Sequence, residues 1–473
     1  MPSPRFRRSE RGSLLIVAML LCAVIGISLV SYFKLATTSL NGATRSFLTM
    51  SNVDLAEIGL EQAMACLYDQ STGTASSTAW AGWTPYGATA VRRTFPGATA
   101  IPPYYIPAPG GRAVVNVYVN NYTNTGGAPV IAVKSTITPQ SGAVLNKYVE
   151  VTLRSRGLWA TGMVGRNGVT MNSNARADSW NSTSAALPYS AGIRRDNGSV
   201  GTTSTANGAV ALSSNAEIYG TANTGGGTVS TASNVRIYGA TSPGTPKVDP
   251  TRVHRDFSYT FPPITVPTPT TVNTISASIV APRTFPNGTT DVPNPSDGKY
   301  YYRFAAGKNI NMDSNKNLTI NAKVVWLFEN HSGVDSIHTS SNADTIFLGT
   351  TSTLEIYTNG NITLDSNNDI NATGQPQRCQ VFGTNTTSQT FTLSSNVNWG
   401  CAIYAPYMTF RIDSNCSIFG SVIADRIQMD SNAAFHYDEM LGSFGTGAGV
   451  AVSRWKELQS SDDRLPYVAL LSF

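Results

Sequence analysis

Between Ser13 and Phe33 the chain carries no charged side chain, and this run constrains the fold more than any other stretch. It reads SLLIVAMLLCAVIGISLVSYF. It follows Arg5, Arg7, Arg8 and Arg11, with Glu10 the only acid before it. At about 1.5 Å per residue, a helix of this length just crosses a ~30 Å hydrocarbon core. The basic flank is expected to stay cytoplasmic, so the rest of the chain is delivered to the far side. Tyr32-Phe33-Lys34-Leu35 is a poor match to the small-residue site that ends a cleaved secretory signal. A cleaved signal and a plain single-pass anchor remain as alternatives to a segment with a further role.

The helical pattern does not stop at the end of the apolar run. From Lys34 to Asp69 there is no Pro, and only Gly42 and Gly59 interrupt. Apolar or small residues recur at Leu40, Ala43, Phe47, Met50, Val53, Ala56, Leu60, Ala63 and Leu67. Steps of three and four place them in one stripe along an α-helix. The plain expectation is that this stripe packs against the protein's own domain.

Arg11-Gly12 directly before an apolar run that continues into a long helix resembles the leader of type IV pilins and type II secretion pseudopilins. Asp54–Ala63 (DLAEIGLEQA) resembles the run that closes the N-terminal helix of PilX-type and K-type minor pilins. The resemblance covers roughly residues 11–67. It implies cleavage by a prepilin peptidase after Gly12, a mature chain starting at Ser13, and a helix that packs with other pilins or pseudopilins. Most major pilins carry Glu five residues after the cleaved Gly, where it pairs with a neighbour's terminal amine. Here that position is Val17. A repeating subunit would leave a buried charge unpaired without this Glu, so Val17 points to a minor, tip-type subunit.

Only 13% of the 473 residues are charged, and Gly, Ser, Thr and Asn are abundant. This favours turn-rich β structure over a compact α/β enzyme. The net charge is +5, much of it in the first residues, so nothing calls for a nucleic-acid partner. The five cysteines (Cys22, Cys66, Cys379, Cys401 and Cys416) match no zinc spacing, and a disulfide among the last three stays open. After a loop-like aromatic stretch, residues 113–119, 130–137 and 148–153 alternate as strands of a small β-rich domain.

From there a motif repeats: apolar-x-apolar-x-Ser-Asn-x-x-apolar. Its Asn positions are Asn174, Asn215, Asn234, Asn315, Asn342, Asn367, Asn396, Asn415 and Asn432. Val169 and Met171, Ile362 and Leu364, and Phe410 and Ile412 illustrate the leading apolar pair. Ile218, Ile370, Trp399 and Phe435 illustrate the trailing residue. Period-2 alternation predicts that the Ser faces inward with the apolar pair. Asn is suited to the left-handed corner, and stacked corners would let its amides form a ladder. Spacings near the length of one coil predict a right-handed parallel β-helix. Nine of the 25 prolines lie between Pro250 and Pro295, which predicts an extended excursion linking two blocks of coils. Ala434–Leu441 (AFHYDEML) resembles the close of β-helix domains fused to pilin-type N-termini in bacterial surface proteins.

The fold expected is therefore mainly β, with a long N-terminal helix, a small β-rich domain and a β-helix. Its parts are a leader (1–12), a transmembrane and amphipathic helix (13–70) and a globular region (71–158). A first β-helix block (159–250), the Pro-rich excursion (251–297), a second block (298–441) and a tail or cap (442–473) follow. Asp313, Asp365, Asp413 and Asp430 precede motif Ser residues and are read as solvated corner residues. His254, His331, His338 and His436 share no catalytic or metal spacing. No catalytic residue, cofactor or metal is assigned. The function expected is that of a non-enzymatic minor pilin-like envelope protein, held in the inner membrane with its body outside. A membrane-anchored β-helix that binds or cleaves surface polysaccharide, or an adhesin, is the alternative.

Overall fold

The computed structural model describes residues 11–71, 75–95, 112–123, 129–139, 143–155, 157–183, 188–239, 247–288, 290–313, 315–372, 375–444 and 450–473. The chain is mainly β with one long N-terminal helix, and it divides into two units. Residues up to 154 and from 451 form one, and residues 155–450 the other. Most of the leader region, the aromatic loop at 102–105 and Ser314 lie outside the described residues.

In the first unit the helix Arg11–Ser71 packs its C-terminal half on a six-stranded sheet. The sheet order is Thr84–Tyr86, Ala90–Phe95, Arg112–Asn120, Val130–Thr138, Leu145–Ser155 and Val450–Glu457. The first five strands pair antiparallel in sequence order. Val115, Val117, Ile131, Val133 and Val151 are fully buried, as expected of a face that alternates with period two. Leu48, Leu55, Ala56, Ala63 and Leu67 are the buried apolar residues of the helix. Gly59 belongs to the same face, because a Cβ there would lie 2.6 Å from Val115 Cγ1 and 2.9 Å from Val117 Cγ2.

The sheet-packed stripe therefore coincides with the predicted one only at Ala56, Ala63 and Leu67. Earlier along the helix it includes Asn52, which donates to Leu145 O at 3.1 Å and whose carbonyl accepts from Ser135 Oγ at 2.6 Å. Close approach selects Gly59 and the hydrogen-bonded Asn52, which a stripe defined by apolar periodicity does not contain. Leu40, Phe47 and Met50 are left 57–68% exposed.

The tail differs from a cap. Val450–Glu457 lies beside Leu145–Ser155 in this sheet, with Lys147 Nζ 2.5 Å from Glu457 Oε1. After the short helix Ser461–Val468, Leu471 is buried, and Asn116 Nδ2 donates to Leu471 O and Phe473 O at 2.9 Å each.

Among the described residues, the second unit is a large sheet of 25 strands that pair in parallel. From residue 300 onward each strand generally pairs with one about three strands further along the chain, so three ladders run side by side. In the first, Tyr302, Trp326, Ile356, Val381, Ile403, Val422, Met163 and Val200 follow in register. In the second, Ile310, Ile337, Ile362, Phe391, Phe410, Ile427, Val169 and Val210 do so. In the third, Leu318, Thr345, Ile370, Trp399, Ile418, Phe435 and Ala177 do. All are buried, and all but Thr345 belong to one continuous apolar core.

The repeats are not stacked in chain order. The last strands, Ser417–Met429 and Ala434–Asp438, pair with the first, Met163–Met171 and Arg176–Trp180. The chain thus enters in the middle and builds outward to residue 254. It then crosses to the far end at residue 273 and winds back to meet its own start. Ten successive parallel pairings separate Val253 from Asn273. At ~4.8 Å each the crossing spans about 48 Å.

Residues 255–272 contain no strand and make this crossing. The nineteen Cα–Cα steps from His254 to Asn273 reach about 59 Å in the polyproline conformation, so the segment has to run nearly straight. Proline supplies that shape and asks for no ladder bonds. The excursion is shorter than the 251–297 read from composition, because Asn273–Ile275 and Arg283–Phe285 are strands of the ladders. Along its path Phe257 lies against Gly201, Pro262 O accepts from Tyr404 Oη at 2.7 Å, and Val266 and Val272 cover Tyr301, Val325 and Leu327.

Candidate functional site

Gly12 and Ser13 lie in the first turn of the N-terminal helix. Beyond them Val17 is exposed, as are Leu15, Ile16, Leu20, Leu21, Val24, Ile25 and Phe33. This is the one described helix long and apolar enough to cross a membrane, and it is compatible with a single-pass anchor. The apolar surface does not end with that span. At 100° per residue, Met50 falls about 140–180° round the helix from Leu48, Leu55 and Gly59, while Leu40 and Phe47 flank that packed face at roughly a quarter turn; all three are exposed.

All nine motif Asn residues have left-handed backbone, with φ between 58° and 69°. The preceding Ser shares it at Ser173, Ser214, Ser341, Ser366, Ser395, Ser414 and Ser431. Here the structure corrects an expectation. These Ser side chains are exposed or half-buried and do not face the core. Alternation holds only for extended backbone, and two consecutive left-handed residues reset its phase. The position that turns inward is the one after Asn: Ala175, Ala216, Val235, Ala343, Val397, Cys416 and Ala433 are all buried. Their small size was the readable signal.

The corners form a column. Backbone amides of Asn315, Asn342, Asn367, Asn396, Asn415, Asn432 and Asn174 donate to Ser341, Ser366, Ser395, Ser414, Ser431, Ser173 and Ser214 carbonyls at 2.8–3.0 Å. Side-chain amides add a second ladder. Asn215 donates to Asn174, Asn174 to Asn432, Asn432 to Asn415, Asn415 to Asn396 and Asn396 to Asn367, at 3.0–3.3 Å. Asn342 donates to Asn315 at 3.3 Å, and Asn234 accepts from Lys247 Nζ at 2.7 Å.

Beside this column the chain carries a groove of about 410 Å³, lined by Thr170, Thr392, Arg411, Asp413, Gln428 and Asp430 among others. Of the aspartates before motif serines, Asp313 pairs with Lys316 at 2.6 Å, which holds its carboxyl below the usual range. Asp365 accepts from Ser394 Oγ at 2.9 Å, and Asp413 from Ser414 N at 2.7 Å. A second groove of about 320 Å³ holds Asp344, Asp369, Asn371 and Arg378. Burial pushes the Asp344 carboxyl up, but Arg378 is already committed to Ser352 O and Gly349 O. Among the described residues, no group of three or more His, Cys, Asp or Glu is placed to hold a metal ion. Cys379, Cys401 and Cys416 are free and buried. Burial pushes the Cys379 thiol up to about 12 and Cys416 to about 11, far from a reactive thiolate.

A dense polar cluster lies where the last repeat meets the first, and spacing could not reveal it because Asp178 and His436 are 258 residues apart. His436 Nδ1 is 2.5 Å from Asp178 Oδ1, both buried. Tyr189 Oη donates to Asp178 Oδ2 at 2.7 Å and its ring stacks on His436. Burial holds His436 below its ordinary pKa, against the pull of Asp178. Tyr437 Oη donates to Trp159 O at 3.2 Å. Asp438 accepts from Ser182 N at 3.0 Å and from Ser182 Oγ, and burial pushes its carboxyl up. Glu439 accepts from Ser179 Oγ at 3.0 Å, Asn197 Nδ2 at 2.9 Å and Arg195 at 2.8 Å.

A family model described as a domain of unknown function (DUF7305) matches residues 283–444. No curated protein matches the chain. Among solved structures, a competence-associated pilin, ComZ, from Thermus thermophilus aligns with 13% identity over 86% of this chain and 97% of that chain, with a TM-score of 0.20. A superposition this loose carries no argument.

Proposed function

We propose that this chain is a non-enzymatic minor pilin-like or pseudopilin-like envelope protein, whose body is a right-handed parallel β-helix presented outside the membrane. One observation carries the reading: exposed apolar surface on the helix does not end with the membrane-length run but continues through Leu40, Phe47 and Met50, which its own sheet leaves uncovered. A plain anchor needs apolar surface only over the ~30 Å hydrocarbon core. A helix that leaves the bilayer and packs among similar helices needs it further along. On this reading a prepilin peptidase cuts after Gly12, Ser13 becomes the new N-terminus, and Val17 in place of Glu suits a subunit with no neighbour above it. The three ladders of parallel strands and the corner column support the β-helix. A surface polysaccharide is the ligand class that the groove beside Arg411 would take.

The test is the N-terminus of the protein isolated from its native envelope, by intact mass and N-terminal sequencing. A chain starting at Ser13 supports the proposal. A retained Met1 overturns the processing and leaves a tethered body, and a start beyond Phe33 leaves a secreted one.

A further inference from the structure

The two blocks of the parallel sheet are joined covalently only by the strap at 255–272, which runs over the outside of the first ladder. Where they touch, at the seam, everything is non-covalent. Val422–Met429 lies on Met163–Met171, and Ala434–Asp438 on Arg176–Trp180, in parallel register. Asn172 N donates to Met429 O at 2.9 Å, Arg176 N to Ala433 O at 2.9 Å and Asn432 N to Ser173 O at 2.8 Å. The side chains of His436, Tyr437, Asp438 and Glu439 all reach across to residues 159–197. The family match ends at residue 444 and includes these four residues, yet every partner just named lies outside 283–444. The matched region by itself would end in an open sheet edge carrying a buried-type His and two carboxylates without partners.

We propose that this seam is a binding interface in its own right. Residues 283–444 form a receptor edge for two strands, Met163–Met171 and Arg176–Trp180, which this chain supplies itself. Recognition combines three elements. Parallel backbone bonds along two strands give register. Met163, Val169, Met171 and Ala177 continue the apolar core. The tetrad 436–439 reads Asp178, Trp159 O, Ser182 and Arg195. The strap holds the segment at high effective concentration and adds contacts of its own to Tyr404, Tyr301 and Val325, apart from the seam. This inference is independent of the pilin reading, since it rests on the seam alone.

The experiment uses the full chain with site-specific protease sequences inserted between Arg255 and Asp256, between Thr268 and Pro269, and within 445–449. The cuts free the strap and also the tail 451–473, which packs in the first sheet, so neither ties the N-terminal fragment 1–255 to the fragment that starts at Pro269. After cleavage the two fragments are expected to co-elute in size-exclusion chromatography at micromolar concentration and to part only in denaturant. Separation in native buffer overturns the proposal. In the cleaved protein, Asp438→Ala leaves Ser182 without its buried acceptor. It is expected to release a labelled N-terminal fragment at least about tenfold faster, while Thr363→Ala, far from the seam, leaves the rate unchanged. Equal rates for the two variants overturn the role of the tetrad. Circular dichroism of the uncleaved variant checks folding. Should Asp438→Ala fail to fold, Glu439→Ala, at the solvent edge of the cluster, is read in the same assay against the same threshold.

Discussion

At the scale of single residues, the corner asparagines combine a backbone role with a side-chain role, and substitution separates the two. Asn396 has φ 67°, donates to Asn367 at 3.1 Å and accepts from Asn415 at 3.3 Å. Asn396→Gly keeps the left-handed turn and loses only the ladder bonds. Asn396→Ala loses both, and left-handed backbone costs an ordinary residue about 1–2 kcal/mol. Urea titration is expected to rank stability as wild type, then Gly, then Ala, with Ala about 1 kcal/mol or more below Gly. His436 gives a second residue-scale prediction. Its pKa is lowered in the folded state by burial, so the unfolded chain takes up the proton first as pH falls. Stability from this site is full above the unfolded value of about 6.5 and declines as pH drops below it. His436→Gln, which titrates nothing, is expected to flatten the pH dependence of unfolding free energy just below 6.5.

At the scale of elements, the strap is under a length constraint that sequence composition suggests and topology fixes. It must cover about 48 Å, and each extended residue adds at most about 3.6 Å. Deleting two residues within 267–270 leaves seventeen Cα–Cα steps, enough to cross. Deleting eight residues, 263–270, leaves eleven steps, about 40 Å at full stretch, which cannot cross without opening an end of the sheet. Thermal unfolding is expected to show a native-like transition for the first deletion and loss of it for the second. The N-terminal helix illustrates the opposite case. Its existence is plain from the apolar run and the absence of Pro, but its packed face is not. Gly59 and Asn52 are chosen by contact with Val115, Val117 and Ser135, which lie 56–83 positions away.

At the scale of the whole molecule, the tail belongs with the first unit and not with the parallel sheet. Removing residues 451–473 takes away the strand beside Leu145–Ser155 and the buried Leu458 and Leu471. It also leaves buried Asn116 without its two carbonyl acceptors. This truncation is expected to lower the stability of the first unit by several kcal/mol. The transition of 155–450 should be unmoved. Calorimetry, or hydrogen exchange resolved by segment, would show one transition shifting alone, whereas a common shift would mean the two units unfold together.

Sequence by itself determined what depends on near neighbours. Charge-free length fixed the helix, the Ser-Asn frame marked each corner, alternation marked the strands, and proline density marked the strap. Each is a local consequence of backbone geometry, and each can be read within about twenty residues. The candidate sites divide the same way: the Asn column was legible one corner at a time, the tetrad at 436–439 only as a resemblance. Only the tertiary structure decided the order of the repeats, the closing of residue 438 on residue 180, the face of the helix that packs, and the return of the tail to the first sheet. Those outcomes depend on which surfaces meet after hundreds of intervening residues. Strand pairing through backbone groups is nearly indifferent to side-chain identity, so a strand's own residues do not name its partner. The inward turn of the residue after Asn lies between the two cases. It follows from two left-handed residues in succession, a local event, but one that shows itself only once the angles are known.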